Sequence, residues 1–185
     1  HTHLPEHKFV KGQPETGVEM AEDLERLATN FGGENIAACI VEPIAGSTGT
    51  LVPPKGYLKR LREICNKHGI LLIFDEVITG WGRTGSAFGA IEYGVTPDIM
   101  TMAKATTNGV IPMGVVAVKD GIYDAIIDAS SAPEGSAELF HGYTYSGIPA
   151  AVAAALAVQD IFDKEDIFKR AKELSPYFLD GLFSL

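Results

Sequence analysis

The chain has 185 residues, of which 46% are hydrophobic and 21% are charged, a composition typical of globular proteins. This length suits one domain, or most of one, with a sizeable buried core. The formal net charge of −9 argues against nucleic acid or an anionic membrane surface as the main partner. The longest apolar run, residues 150–158, is far shorter than the roughly 18 residues that a membrane span requires.

The chain ends and the cysteines indicate what kind of chain this is and where it is located. The chain starts with His1 rather than methionine, and 178–185 stops inside an amphipathic pattern, so we expect a segment of a longer protein. Cys39 and Cys65 lie in apolar-periodic segments and are expected to be buried free thiols, which favours a reducing, cytoplasmic location. Three histidines among the first residues have no carboxylate or cysteine beside them to complete a set, so we expect no metal site.

Hydrophobic periodicity predicts helices and strands that alternate along most of the chain. In chain order we predict a helix over 19–27, a strand over 36–44, a helix over 54–68, a strand over 69–74, a helix over 87–93, strands over 98–102 and 113–118, and helices over 146–162 and 166–182. Strands that are apolar throughout are typical of a sheet buried on both faces. The pattern therefore predicts an α/β fold with a mostly parallel sheet and helices on both faces.

Two adjacent acids, Asp75 and Glu76, follow the second predicted strand and precede a glycine-rich loop over 80–85. In open α/β sheets, ligands bind outside the carboxyl ends of the strands. An ionised carboxylate at the end of a buried strand is costly unless a cation meets it. We therefore expect Asp75 to bind a cation, and we expect Glu76 to accept hydrogen bonds from neighbouring backbone amides.

One interpretation of Asp75 is the magnesium-binding acid of a nucleotide hydrolase. Such a site needs a G-x-x-x-x-G-K-[ST] loop, and the dipeptide Gly-Lys does not occur in these residues. Such a loop could lie outside these residues, so the interpretation stays open.

A second interpretation pairs Asp75 with Lys104, which directly follows the strand predicted over 98–102. One strand–helix–strand unit separates the two residues, so they are expected at the same end of neighbouring parallel strands. A partly desolvated lysine can act as a Schiff-base nucleophile. The cation that meets Asp75 would then be the protonated pyridine nitrogen of a pyridoxal 5'-phosphate (PLP) cofactor held by Lys104.

Several longer stretches carry a family resemblance. The segments DEVITGWGRTG (75–85), GVTPDIMTMAK (94–104), NGVIPMG (108–114) and FHGYTYSGIPAAVAAAL (140–156) resemble class III aminotransferases, which are PLP-dependent enzymes of fold type I. Within that class, KGQPETGVEMAEDLERL (11–27) and VEPIAGSTGTLVPPKGYLKRLREICNKHGI (41–70) are most similar to the omega-amino acid:pyruvate group, including β-alanine–pyruvate transaminases. The resemblance covers essentially the whole chain.

This resemblance implies roles for four residues as catalytic or cofactor-binding groups. Asp75 would keep the pyridine nitrogen of PLP protonated, and Val77 would pack on one face of the ring. Lys104 would hold the cofactor covalently and later carry a proton as general base and acid. Thr144 would bind the cofactor phosphate across a homodimer interface, just before the helix predicted over 146–162, whose amino end attracts anions.

The resemblance also implies an organisation and a reaction. Residues 1–163 would be the carboxyl-terminal part of the PLP-binding large domain, and 164–185 the start of a truncated small domain. The substrates would be an amine donor such as β-alanine, and pyruvate, with Glu42 as a weaker candidate on the substrate side. The remaining parts of the pocket would lie outside this chain, so we expect it to be inactive alone.

The sequence departs from the family pattern at two places. Ala105 and Thr106 follow the lysine, where glycine and a large aliphatic residue are usual. Trp81 replaces the commoner phenylalanine and adds an N–H that needs an acceptor.

Alternatives to a transaminase remain open. Another class III reaction, by an aminomutase or a decarboxylase, is one, and a folded fragment without catalysis is another. Among other polar residues, we expect Asp98 to cap a local turn and Arg83 to position the glycine-rich loop by bonding an acid or loop carbonyls.

Overall fold

The computed structural model describes residues 11–131, 133 and 141–185, so the three histidines near the amino terminus lie outside the described residues. Helices α1 to α6 span Glu22–Phe31, Tyr57–His68, Gly89–Glu92, Asp120–Ala129, Pro149–Lys164 and Ile167–Phe183. Strands β1 to β4 span Ala38–Val41, Leu71–Asp75, Ile99–Met102 and Val115–Val118. Short 3₁₀ turns cover Val18–Ala21, Gly33–Asn35 and Lys104–Thr106.

The four strands form one sheet in the order β1-β2-β3-β4. Strands β1, β2 and β3 are parallel, and Asp75 in β2 is the partner of Thr101 in β3. Strand β4 runs antiparallel to β3. The predicted α/β class with a mostly parallel sheet is confirmed, and the carboxyl ends of β1, β2 and β3 meet at one edge.

The core lies between this sheet and α2. Leu72 and Phe74 project from one face of β2 and are completely buried, and Ile64 and Cys65 of α2 are as well. Apolar residues recur in α2 at helical spacing, and Gly69 ends the helix in a left-handed conformation. On the opposite face of the sheet Ile40 is 63% exposed, so the helical cover is densest on the α2 side.

Several predicted boundaries shift in the structure. The strand predicted over 36–44 is confined to Ala38–Val41, the helix over 87–93 to Gly89–Glu92, and the helix over 146–162 begins at Pro149. Helix α4 was not predicted; its sequence DGIYDAIIDA has a glycine near the start, and the structure buries none of its residues. The division at 163–164 falls at the end of α5, and the two-domain organisation stays a prediction.

Asp98 has a longer-range role than the local turn cap that the sequence predicted. Its Oδ2 accepts hydrogen bonds from Nη1 of Arg62 (2.6 Å) and the amide of Leu72 (2.7 Å), and its Oδ1 accepts one from Nζ of Lys119 (2.7 Å). Burial raises the pKa of Asp98, but the hydrogen bonds from Lys119, Leu72 and Arg62 outweigh it and lower the pKa overall. The carboxylate joins α2, β2 and the start of α4, which no local pattern indicated.

The two cysteines are free, as predicted, but only Cys65 is buried; Cys39 is half-buried. A hydrogen bond to Cys39, together with burial, raises the pKa of the Cys65 thiol. Within the described ranges, no helix combines the length and apolarity that crossing a bilayer requires.

The buried ring of Phe74 should dominate the stability of the sheet. We predict that Phe74→Ala lowers the free energy of unfolding by about 3–5 kcal/mol, because it removes apolar contacts and leaves a cavity. The matched control is Phe31→Ala at the end of α1, where the ring is 67% exposed, with an expected change within about 0.5 kcal/mol. Urea unfolding of both variants measures the difference, and equal losses would contradict the assignment of the core.

Helix α1 is joined to α2 by an acid whose titration should be visible at low pH. Hydrogen bonds from Lys67 and then His68 lower the pKa of Glu25 from 4.5 to about 2. A lowered folded-state pKa contributes stability above the unfolded value, and that stability is lost as the pH falls from about 4.5 towards 2. We predict that Glu25→Gln removes this part of the acid dependence of unfolding, whereas Glu173→Gln, at an exposed site on α6, leaves it unchanged.

Candidate active site

Asp75 and Lys104 lie at the same edge of the sheet, as the sequence predicted. Asp75 is the last residue of β2, opposite Thr101 in β3. Strand β3 ends at Met102, and Lys104 begins the 3₁₀ turn that follows it. Because β2 and β3 are parallel, both side chains leave the sheet at its carboxyl end, where α/β proteins bind ligands.

Neither of these two charges is neutralised within the part of the chain that the structure describes. Asp75 is half-buried, and its Oδ1 accepts a hydrogen bond from the amide of Val77 (3.0 Å). Its carboxylate has no Lys, Arg or His partner among these residues, and the exposed amine of Lys104 has no hydrogen bond or ion pair among them. The edge therefore offers a carboxylate and an amine that a ligand can engage.

Glu76 fixes the loop that follows Asp75. Its side chain is completely buried. Oε2 accepts hydrogen bonds from Oγ1 of Thr79 (2.5 Å) and the amide of Gly89 (2.8 Å), and Oε1 accepts one from the amide of Ala90 (2.7 Å). The prediction that Glu76 bonds backbone amides is confirmed, and these bonds close the loop between β2 and α3.

The glycines of this loop are required by helix α6. A Cβ on Gly82, which has φ +89°, would come within 2.5 Å of the ring of Phe168. A Cβ on Gly85, at φ +82°, would come within 3.1 Å of the Cα of Lys172. Helix α6 thus packs directly on the loop that starts at Asp75, and only glycine fits both approaches.

Thr144 is exposed and lies in a turn, away from the start of a helix. The turn is closed by a hydrogen bond from the amide of Ser146 to the carbonyl of Tyr143 (2.9 Å), and Oγ of Ser146 accepts one from the amide of Tyr143 (2.9 Å). Since α5 begins only at Pro149, the prediction that the Thr144 hydroxyl directly precedes a helix is wrong. The turn occupies the residues that were assigned to the first helical turn.

A cleft of about 630 Å³ joins this turn to the sheet edge. Its lining includes Val77, Thr101, Met102, His141, Tyr143 and Tyr145. The rings of Tyr143 and Tyr145 are 81% and 78% exposed. The structure thus brings Val77 and the segment around Thr144 to one cleft, although Thr144 itself does not line it.

Glu42 and Arg83 are the two other residues that the sequence singled out. Glu42 follows β1 and uses Oε2 to accept a hydrogen bond from the amide of Gly46 (2.9 Å), which closes a local turn; its role towards a substrate stays a prediction. Arg83 is exposed and has no acid or carbonyl partner among the described residues, so these residues do not supply the bonds by which it was predicted to position the loop.

The sequence missed the importance of Thr106. Its hydroxyl is the acceptor for the indole N–H of Trp81 (2.9 Å), the N–H that was expected to need one. Both residues depart from the pattern of the resembled family, but nothing in their types or spacing indicated that they contact each other.

The loop should depend on the charge of Glu76. We predict that Glu76→Gln lowers the free energy of unfolding by about 1.5–3 kcal/mol, because one of the two oxygens becomes an NH2 group that faces the amide donor of either Gly89 or Ala90 and leaves it without an acceptor. Glu173→Gln on α6 is the exposed control. Chemical unfolding and hydrogen exchange of the Gly89 and Ala90 amides measure the effect; unchanged exchange at these amides would contradict it.

Comparison with known proteins places the chain in a family. The family model for class-III aminotransferases matches residues 1–185. The chain is 56% identical to an omega-aminotransferase of Caulobacter vibrioides, with 100% of this chain and 42% of the relative covered. It is 50% identical to a β-alanine–pyruvate aminotransferase of Pseudomonas aeruginosa, with 100% and 41% covered.

Solved structures agree. A thermostable (S)-enantioselective omega-transaminase from Thermomicrobium roseum has a TM-score of 0.85 and 41% identity, with 96% of this chain and 39% of that chain covered. An amine transaminase from an uncultivated Pseudomonas species, solved in a PLP-bound form, has a TM-score of 0.79 and 44% identity, with 86% and 35% covered. The chain spans about two fifths of the length of the curated relatives it matches. It belongs to the class-III aminotransferase family.

Proposed function

We propose that the whole protein to which these residues belong is a PLP-dependent transaminase that moves an amino group from an omega-amino acid or related amine to pyruvate. The observation that carries this proposal is the pairing at the sheet edge of a half-buried carboxylate without a cation, Asp75, with an amine without an anion, Lys104. The family supports the reaction type. The names of two relatives, a β-alanine–pyruvate and an omega-amino acid–pyruvate aminotransferase, support the substrate classes.

The residues at this edge fit PLP chemically. The cofactor carries a ring nitrogen that can be protonated, an aldehyde that reacts with a primary amine, and a phosphate. Asp75 matches the first group and Lys104 the second. For the phosphate, the exposed hydroxyl of Thr144 is available to a group from outside this chain.

When bound, PLP supplies an electron-withdrawing ring that stabilises negative charge on the substrate carbon. Asp75 would hold the proton on the ring nitrogen, and its Oδ2 has no other partner among the described residues. The bond from Val77 to Oδ1 (3.0 Å) keeps the carboxylate oriented. Lys104 would hold the cofactor and would then accept and return the substrate proton at Nζ.

We also propose a homodimer in the cytoplasm. The exposed rings of Tyr143 and Tyr145 on either side of Thr144 suit a surface that a second subunit covers, and this would place Thr144 in the neighbouring site.

Lysine mapping tests the proposal. The protein is mixed with PLP and reduced with borohydride, and the modified lysine is identified by mass spectrometry. We expect the label on Lys104 and its loss in Lys104→Ala, while Lys59→Ala, at an exposed position of α2, retains it. Asp75→Asn should weaken the labelling by about tenfold or more, because the loss of one charge-assisted hydrogen bond is worth about 1.5–3 kcal/mol.

The amino-group balance distinguishes the reaction classes. Incubation with β-alanine should remove the reducible label, and added pyruvate should restore it with formation of alanine. Consumption of the amine without a requirement for pyruvate, with the label on Lys104 retained, would favour an aminomutase or a decarboxylase. Labels scattered over surface lysines would mean that these residues form no working site.

A further inference from the structure

The contact between Trp81 and Thr106 joins the loop after Asp75 to the turn that carries Lys104. Nε1–H of Trp81 donates to Oγ1 of Thr106 (2.9 Å). The same hydroxyl donates to the carbonyl of Ala103 (2.8 Å), and the amide of Thr106 donates to that carbonyl as well (2.8 Å). Lys104 therefore lies inside a turn that Thr106 closes twice, and Thr106 is only 2% exposed.

The backbone of this turn is strained. Lys104 has φ +36°, in the left-handed region that side-chain-bearing residues rarely adopt. Such conformations persist only where the surrounding structure holds them. The two hydrogen bonds from Thr106 to the carbonyl of Ala103 span this turn.

Trp81 is itself fixed on its other sides. Its ring meets Phe88 edge to face at a centroid distance of 5.0 Å and stacks on Phe162 of α5 at 6.5 Å. Its amide donates to the carbonyl of Ala87 (2.6 Å). The indole N–H is thus presented to Thr106 from a packed position.

We infer that Trp81 and Thr106 are positioning residues for Lys104, which keep its backbone in the left-handed conformation and its amine at the edge where Asp75 ends. This inference rests on the proposed function for the role of Lys104. Without the hydroxyl of Thr106, the φ of Lys104 relaxes towards negative values. The Lys104 amine then no longer points towards a ligand held by Asp75.

The first arm of the test needs no cofactor. In a ¹⁵N-labelled sample the indole N–H resonance of Trp81 is assigned as the one that Trp81→Phe removes, and the coupling between the amide and α protons of Lys104 reports φ. In Thr106→Val we expect the indole resonance to shift and its solvent exchange to accelerate, and the coupling at Lys104 to change. Thr106→Ser, which keeps the hydroxyl, should restore all three. An unchanged coupling at Lys104 in Thr106→Val would overturn the inference.

The second arm measures capture of PLP by Lys104. At saturating PLP, we expect Thr106→Val to slow borohydride-trapped labelling of Lys104 by about three- to tenfold, the range that corresponds to one hydrogen bond. If Thr106→Val fails to fold, Trp81→Phe takes its place in the test. This variant keeps an aromatic ring and removes the N–H, and we expect it to slow the labelling of Lys104 by a smaller factor. In the double variant the effects should not add, because both changes break one contact.

Thr107→Val is the matched control. Thr107 is also 2% exposed, but its hydroxyl donates to the carbonyl of Ile111, so its loss should reduce stability without changing the Lys104 coupling or the labelling rate. An equal slowing in Thr107→Val would overturn the inference in favour of general destabilisation. If unaltered protein shows no label on Lys104, the proposed function fails, while the coupling at Lys104 still decides whether Thr106 positions it.

Discussion

The parallel pairing of β2 with β3 is the constraint on which the rest of the site depends. It places Asp75 opposite Thr101 and ends both strands at one edge, so that an acid and a lysine distant in sequence lie at the same edge, where α/β proteins bind ligands. The pairing is stabilised on one face by burial of Leu72 and Phe74 against α2. The burial of these apolar side chains thus offsets the free-energy cost of half-burying the Asp75 carboxylate at this edge.

Side-chain contacts hold the loop after Asp75 in a defined position relative to the sheet. Glu76 uses both carboxylate oxygens to bind the amides that begin α3, Trp81 packs between Phe88 and Phe162, and Gly82 lies against Phe168 of α6. Helix α6 therefore packs directly on the loop that follows Asp75.

Much of the fold was predictable because it follows local rules. Helix α2 was predicted almost to its ends, since its apolar spacing and Gly69 are local signals, and the apolar strands indicated an α/β sheet. The antiparallel direction of β4 and the start of α5 at Pro149 were not predictable, because they depend on contacts between distant segments and on a turn closed by Ser146.

The sequence by itself determined the class of fold, the family resemblance and the residue types at the candidate site, because motifs such as DEVITGWGRTG keep their acid, glycines and spacing in the linear chain. Only the tertiary structure decided which of these residues meet. It showed Asp98 bound to Arg62 and Lys119, Arg83 exposed, and Trp81 bonded to Thr106 beside Lys104. The physical reason is that a hydrogen bond between distant residues depends on atomic distances of about 3 Å, which residue type and spacing do not encode.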